Sequence, residues 1–512
     1  MSLSKTDMAD GIKQLRERLG GVSDLRDALG LLEWDQQTMM PARGAAARAE
    51  SLATLGRLSH EMFISAETGH LLEAAAGDLN GELDGDSDDA RLVEVVRRRW
   101  EKDRRVPADL AAEIARAGSI GYEAWVSARR DSDFAAFAPH LERNLELARR
   151  YVDCFEGFDA PYDALLDDYE PGMKAADVTR LFNELKRELV PLIATVAEHA
   201  DRIDDSVLHR NVPVERQRAL VLDVIELMGF NPEAWRLDDA VHPFATGFGR
   251  DDVRITTRWD ESYFPMSLFG AMHECGHGLY EAGIAQSLQR TPLGHGESLG
   301  LHESQSRMWE NMVGRGKAFS GVLAQRIAQS FGESFTDLDP DALFRAVNQV
   351  KPSFIRVEAD EATYGLHIIL RFELEQELID GRLQVRELRE AWNARFKEYL
   401  GLDVPDDSQG VLQDVHWSGG AIGYFSTYAL GNLIAGELWE RAHADLPDLE
   451  AQLASGELSG LREWLREHVH RHGSKFSATE LLERVAGGPI SVAPFVSYLK
   501  DKLSAAYGID LR

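Results

Sequence analysis

The stretch Met272–Tyr280, read as Met-His-Glu-Cys-Gly-His-Gly-Leu-Tyr, constrains this chain more than any other. His273 and His277 stand four residues apart, and on a helix that spacing puts them on one face, one turn apart. Two imidazoles so placed can share one metal ion, and Glu274 beside that face can reach a water on the ion. The chemistry therefore demands a helix, and the flanks supply one. Pro265 suits the first turn and Gly283 the end, while Leu268, Met272, Leu279 and Ala282 give an apolar side. Gly276 and Gly278 each weaken a helix by about 1 kcal/mol relative to Ala; their use is to let another backbone come close. Cys275 lies two residues from each histidine, points away from them and belongs to the core.

The remainder reads mostly as helices. Two or three amphipathic helices are expected over residues 7–76, with Ala45–Ile64 resuming after an interruption at Pro41 and Gly44. Within the acidic stretch 77–90, Asp84, Asp86 and Asp88 imitate the start of a calcium loop. The sixth position is Asp89 and the twelfth Val95, where such a loop needs glycine and glutamate, so a solvated loop is expected. A charged helical pattern fills Asp89–Phe155. Val178, Leu181, Phe182, Leu185 and Leu189 keep helical spacing up to Pro191, which is expected to kink or end that helix. Another helix covers about Val214–Met228. The character changes at His242. Val253, Ile255 and Thr257 alternate with Arg254, Thr256 and Arg258, the period of a strand, so a hairpin or small sheet precedes the histidine helix. An edge strand in that position can hold an extended peptide by main-chain bonds. Helices are expected again over about Glu297–Met312, Phe354–Ile379 and the last hundred residues or so, where Ser477-Ala-Thr-Glu480 forms a capping box. The segment Gly410–Tyr428, rich in glycine and aromatic residues, suits the wall of a site.

A chain of 512 residues has room for about three domains or one large helical unit. With no internal repeat and no flexible linker, a single mainly α-helical domain over 1–512 is expected, with an N-terminal helical part to about 235, a catalytic part over about 236–430 and C-terminal helices beyond. The formal net charge of −30 and pI of about 4.9 argue against nucleic acid as a partner, because a phosphate backbone would be repelled. Two separated cysteines, Cys154 and Cys275, imply no disulfide framework and fit a reducing compartment. Met1–Leu15 lacks a signal-peptide hydrophobic region, and no apolar run approaches transmembrane length, so no membrane association and a cytoplasmic location are expected.

A catalytic zinc usually takes three protein ligands and leaves one position for water. Glu281, His295, Glu297, His302, Glu303 and Glu310 are the downstream candidates, and spacing alone leaves both His302 and Glu303 open.

Several ordered segments resemble the carboxypeptidase Taq family of metallocarboxypeptidases: His242-Pro-Phe244, Asp252-Val-Arg-Ile-Thr256, His273-Glu-Cys-Gly-His277, His302-Glu-Ser-Gln-Ser306, Ile355-Arg-Val-Glu-Ala-Asp360 and Gly410-Val-Leu-Gln-Asp-Val-His-Trp417. Trp34-Asp-Gln-Gln-Thr-Met-Met-Pro41 is similar to that family's N-terminal segment. The resemblance implies Glu303 as third ligand beside His273 and His277. It also implies a helical metallopeptidase fold with a deep groove and a small sheet beside the metal, a homodimer, peptide substrates, and zinc as the native metal with cobalt able to replace it. In that setting Glu274 is the general base. Tyr424 and His416 are candidates for stabilising the oxyanion, from their glycine-rich context and their similarity to the His/Tyr segment of related zinc peptidases, with Tyr428 in reserve. A carboxypeptidase must also read the terminal carboxylate, which the planar fork of arginine matches. Arg356 is the first candidate and Arg254 the second; either could instead form a structural ion pair, with Asp360 or Asp252. His242 and Gln413 are further substrate-contact candidates.

Overall fold

Three helices, Asp10–Thr38, Ala45–Ile64 and Ala66–Asp78, open the computed structural model, which describes residues 10–79, 85–296 and 298–512. Helices Asp88–Arg105, Ala108–Asp131 and Phe134–Val152 follow. Their pattern is the expected one, apolar side chains such as Leu15, Leu92 and Leu141 turned inward and charged residues outward. The buried apolar side chains join into one connected cluster from Leu15 to Tyr507. Asp84 and Glu297 lie outside the described residues. Asp86 is paired with Arg91 and Arg484, and Asp88 with Lys475.

Of the two outcomes expected at Pro191, an end to the helix is not found: the helix runs over Ala175–Ala197 with the proline inside it. Pro191 and Arg187, one turn before it, both lie on the exposed face. The carbonyl that proline cannot bond therefore meets water, and the usual penalty is softened.

The only strands among the described residues form one small sheet: β1 (Trp235–Asp239), β2 (Ala245–Gly247) and β3 (Val253–Thr257), in the order β1-β3-β2. β3 pairs parallel with β1, Trp235 opposite Val253, and antiparallel with β2, Ala245 opposite Ile255. The sheet packs on the helix Pro265–Gly283, whose bounds are those the proline and glycine announced. Thr257 Oγ1 donates to the Ser267 carbonyl at 3.0 Å, tying strand to helix. Both inner glycines serve as contact points. A Cβ on Gly276 would sit 2.8 Å from the Gln305 carbonyl oxygen and from Ser306 Cα, and one on Gly278 would sit 2.5 Å from the Trp235 ring. Cys275 is fully buried.

The partner at Gly276 is the helix Leu299–Arg307, which passes into π-helical turns over Met308–Gly314. On its other side lies the helix Ser426–Asp445, where a Cβ on Gly431 would come within 2.6 Å of Glu303 Cγ. The helix expected from Phe354 is shorter. A 3-10 turn at Arg356–Glu358 precedes Glu361–Ile379, and Asp360 caps the latter by accepting from Ala362 and Thr363 backbone N–H groups.

Candidate active site

Glycine at 276 brings the helices Pro265–Gly283 and Leu299–Arg307 together, and the residues they exchange at that contact are the polar ones. His273 Nε2 and His277 Nε2 each lie 3.5 Å from the same oxygen, Glu303 Oε2. One ligand atom from each of the three falls within 4.8 Å of the others. The opposite ring nitrogens are taken. His273 Nδ1 faces Glu310 Oε2 at 2.8 Å, and His277 Nδ1 faces His302 Nδ1 at 2.6 Å. His302 Nε2 in turn meets Glu281 Oε1 at 2.9 Å, and Glu281 Oε2 meets His295 Nδ1 at 3.1 Å. Holding Nδ1 from behind is how proteins aim Nε2 at a metal. The geometry thus brings Glu303 to the histidine pair and sets His302, Glu281, His295 and Glu310 one layer behind. Two imidazoles and one carboxylate fit a small transition-metal dication; a calcium ion would want six or more oxygens.

Charge is arranged to match. Burial pushes Glu303 up, but the Arg307 guanidinium, with Nε 2.7 Å from Oε1, and the two histidines outweigh it and hold the carboxyl well below the usual range. Burial pushes His277 down to about 4, leaving it neutral as a ligand must be. Burial would also lower His273, but Glu303 and Glu310 outweigh it and raise it. The wide π turns bring Glu310 round to face His273 while its other oxygen meets Arg315 at 2.5 Å.

These groups open onto a cavity of about 670 Å³. Glu274, 6 % exposed, lines it next to the histidines, and burial pushes its carboxyl up to about 7. Tyr364, Tyr424 and Tyr428 line it too, as do His242, Pro243, Phe244 and Ala245 at the edge strand β2.

The same arrangement of segments is found in known proteins. A family model described as carboxypeptidase Taq (M32) metallopeptidase matches residues 14–503. The chain belongs to this family. It is 42 % identical over 487 residues to thermostable carboxypeptidase 1 of Thermus thermophilus, covering 93 % of this chain and 95 % of that protein. It is 38 % identical over 496 residues to carboxypeptidase 1 of Bacillus subtilis, covering 97 % and 98 %. The crystal structure of the M32 carboxypeptidase from Deinococcus radiodurans superposes with a TM-score of 0.94 at 39 % identity, covering 98 % of this chain and 100 % of that one. Family membership makes this chain a metal-dependent carboxypeptidase, a hydrolase of peptide bonds, with the mainly helical metallopeptidase fold.

A carboxypeptidase needs a cation where the substrate chain ends, and the cavity of this family member offers several. Arg307 and Arg315 are committed to Glu303 and Glu310. Arg356 lines the cavity, only 5 % exposed, with Nε and Nη2 on Asp414 Oδ1 at 3.0 and 2.8 Å and Nη1 on the Tyr364 hydroxyl at 3.0 Å. Its partner is therefore Asp414 and not Asp360. Arg254 is drawn away: it forms the fork with Asp252 at 2.9 Å on both arms, stacks over Trp34 and Phe248, and does not line the cavity. Gln413 also lies outside the lining. It accepts from Arg356 N and donates to the Phe354 and Gln409 carbonyls, so it braces the Arg356 turn. His416 stands behind the tyrosines, its Nε2 3.4 Å from Tyr428 Oη, with burial pushing it down to about 4. His242 does line the cavity, lowered by burial and by the nearby Arg356 and Arg258. Arg258 is the residue sequence reasoning passed over. It lines the cavity and, among the described residues, makes no hydrogen bond or ion pair. The sequence held no clear signal for it: Arg254 has Asp252 two residues before it and Arg258 has Asp260 two residues after it, and only the fold shows that the first pair closes and the second does not.

Proposed function

We propose that this carboxypeptidase releases single C-terminal residues from peptides with broad tolerance of side chain, and that zinc, replaceable by cobalt, is the ion held by His273, His277 and Glu303. The observation that carries this reading is the convergence of both Nε2 atoms on Glu303 Oε2 in a cavity whose wall bears an uncommitted arginine. Bound there, the ion would lower the pKa of a coordinated water to about 7 and polarise the scissile carbonyl. Glu274 takes the proton from the attacking water and passes it to the departing amine. The Tyr424 hydroxyl donates to the carbonyl oxygen as it gains charge, with Tyr428 the alternative donor. His416 acts on the reaction only through its contact with Tyr428.

The terminal carboxylate is received by Arg356 and Arg258. Arg356 and Arg371 share the single carboxylate of Asp414, which leaves one positive charge uncompensated within that group. Neutral His242, close enough to feel both Arg356 and Arg258, contacts the substrate beside the carboxylate. The edge strand β2 holds the peptide backbone. Arg254 and Gln413 act from behind as supports. The chain works as one domain and as a homodimer in the cytoplasm. No described helix is long and apolar enough to cross a membrane, and the negative charge keeps nucleic acid away.

Metal analysis of the purified protein combined with a timed C-terminal ladder read by mass spectrometry tests the reading. Zinc near one per chain, loss of one residue at a time, and slowing by C-terminal amidation or Arg258→Ala are expected. A charge-assisted pair is worth about 1.5–3 kcal/mol, so each change should cost roughly ten- to a hundredfold in kcat/KM, and the two together less than their product. Release of dipeptides, or rapid internal cleavage of a doubly blocked peptide, overturns it in favour of a dipeptidyl carboxypeptidase or oligopeptidase.

A further inference from the structure

The turn that presents Tyr424 to the cavity is held from below by a carboxylate that touches no reacting group. The helix Glu361–Ile379 carries Arg371 and Glu375 one turn apart, both buried and both turned to the segment 414–423. Arg371 Nε donates to Asp414 Oδ2 at 2.7 Å, at the start of that segment. Glu375, 1 % exposed, accepts three hydrogen bonds: from Trp417 Nε1 at 2.7 Å, from the Gly423 N–H at 3.0 Å, and from the Tyr162 hydroxyl at 2.6 Å. The first two donors stand at the two ends of the turn Trp417–Gly423; the third reaches across from the N-terminal half. Gly423 has φ +94°, and a Cβ there would lie 2.9 Å from the Leu165 carbonyl group, so its backbone occupies a place open only to glycine. Tyr424 is the next residue. Its ring sits edge-on to Tyr169 at 5.2 Å, on the same stretch that supplies Tyr162 and Leu165.

We propose that Glu375 is a positioning residue for peptide hydrolysis: it fixes the turn Trp417–Gly423 so that the Tyr424 hydroxyl is aimed at the scissile carbonyl. An ionised carboxylate accepts on both oxygens and can satisfy three donors converging from different sides, whereas an amide of the same shape has one accepting oxygen and would turn its own N–H bonds on a donor. Bonds to the ionised group are also shorter and stronger than neutral ones. Burial pushes the Glu375 carboxyl up to about 7, and the three donors, with Arg371 one turn away, favour the ionised form against that burial. Loss of the carboxylate frees the Gly423 N–H first, and with it the direction of Tyr424.

This inference rests on Tyr424 being the oxyanion donor, and the test separates the two. Steady-state kinetics, bound metal and thermal melting are compared for Tyr424→Phe, Glu375→Gln, the double variant and Tyr162→Phe. Tyr424→Phe should lower kcat by about a hundredfold or more with little change in KM. Glu375→Gln should lower kcat by about tenfold or more, with KM within about twofold and metal content unchanged, and should add little in the Tyr424→Phe background. Should Glu375→Gln fail to fold, Tyr162→Phe, which removes one donor far from the cavity, should still lower kcat in the same pattern. An unchanged kcat in Tyr424→Phe overturns the donor assignment. A normal kcat in both Glu375→Gln and Tyr162→Phe, or losses that multiply fully with that of Tyr424→Phe, overturns the role of Glu375.

Discussion

The contact behind His273 offers a test of the metal centre that does not depend on turnover. Glu310→Gln keeps the volume but removes the charge facing His273 Nδ1 at 2.8 Å and Arg315 at 2.5 Å. The amide can offer its oxygen to the imidazole or to the guanidinium, and turns its NH₂ on the other. Arg307 keeps Glu303 and Arg315 keeps Asn311, so the two arginines are not stranded. Removing an outer carboxylate of this kind typically weakens metal binding ten- to a hundredfold, about 1.4–2.7 kcal/mol. At free metal a hundred times the original Kd, saturation stabilises the folded chain by about 2.7 kcal/mol, and the variant retains about 1.4 to 0.4 kcal/mol of that. For 512 residues the missing part lowers the melting temperature by only about 1–2 °C. Chelator competition is therefore the sharper assay, with the melting shift as a check. An unaltered Kd in Glu310→Gln would refute the view that Glu310 holds the imidazole for the ion.

Glu274→Gln should keep its metal and lose about a hundredfold or more in kcat, measured in single-turnover assays; near-normal turnover would point to another base. Gly276→Ala puts a methyl 2.8 Å from the Gln305 and Ser306 backbone, so overpacking of about 1–3 kcal/mol should outweigh the helix-propensity gain, and metal content should fall as Glu303 is pushed back; urea melts and metal analysis check both. Burial pushes Asp414 up, but Arg356 and Arg371 outweigh it and hold it well below the usual carboxylate range. A depressed folded pKa gives stabilisation that is present above the unfolded value near 4 and is lost as pH falls below it. Asp414→Asn should therefore be less stable at pH 7 and lose less than the parent between about pH 4 and 2, and parallel urea-melt curves for the two would contradict this.

The histidine helix was legible to the residue because proline and glycine act through the backbone, and its two inner glycines foretold the close packing now seen at Gln305 and Trp235. β1 was missed: Trp-Arg-Leu-Asp-Asp carries two acids, and its strand character comes from parallel pairing with β3. Asp360 is the ion-pair alternative the sequence offers for Arg356, but an aspartate opening a helix is already spent on the first N–H groups. Its real partner, Asp414, lies 58 residues on, and only the tertiary fold could name it. The same holds for Glu375, whose three donors come from two stretches of chain that only the fold brings to it: Tyr162 on one, Trp417 and Gly423 on the other.

The π turns at Met308–Gly314 limit how far this scaffold can be idealised. A wide turn holds one residue more than an α-helix would, and excising that residue would tidy the backbone hydrogen bonding. Each residue on a helix also advances the side chains by about 100°, so the same deletion would swing whatever follows it round the axis. Engineering that trims the bulge for heat tolerance would thus disengage Glu310 or Arg315 from the centre they serve. The irregular turn is the tolerance built into an otherwise regular pair of helices, and a homologous scaffold lacking it would need a different residue to stand behind the first histidine.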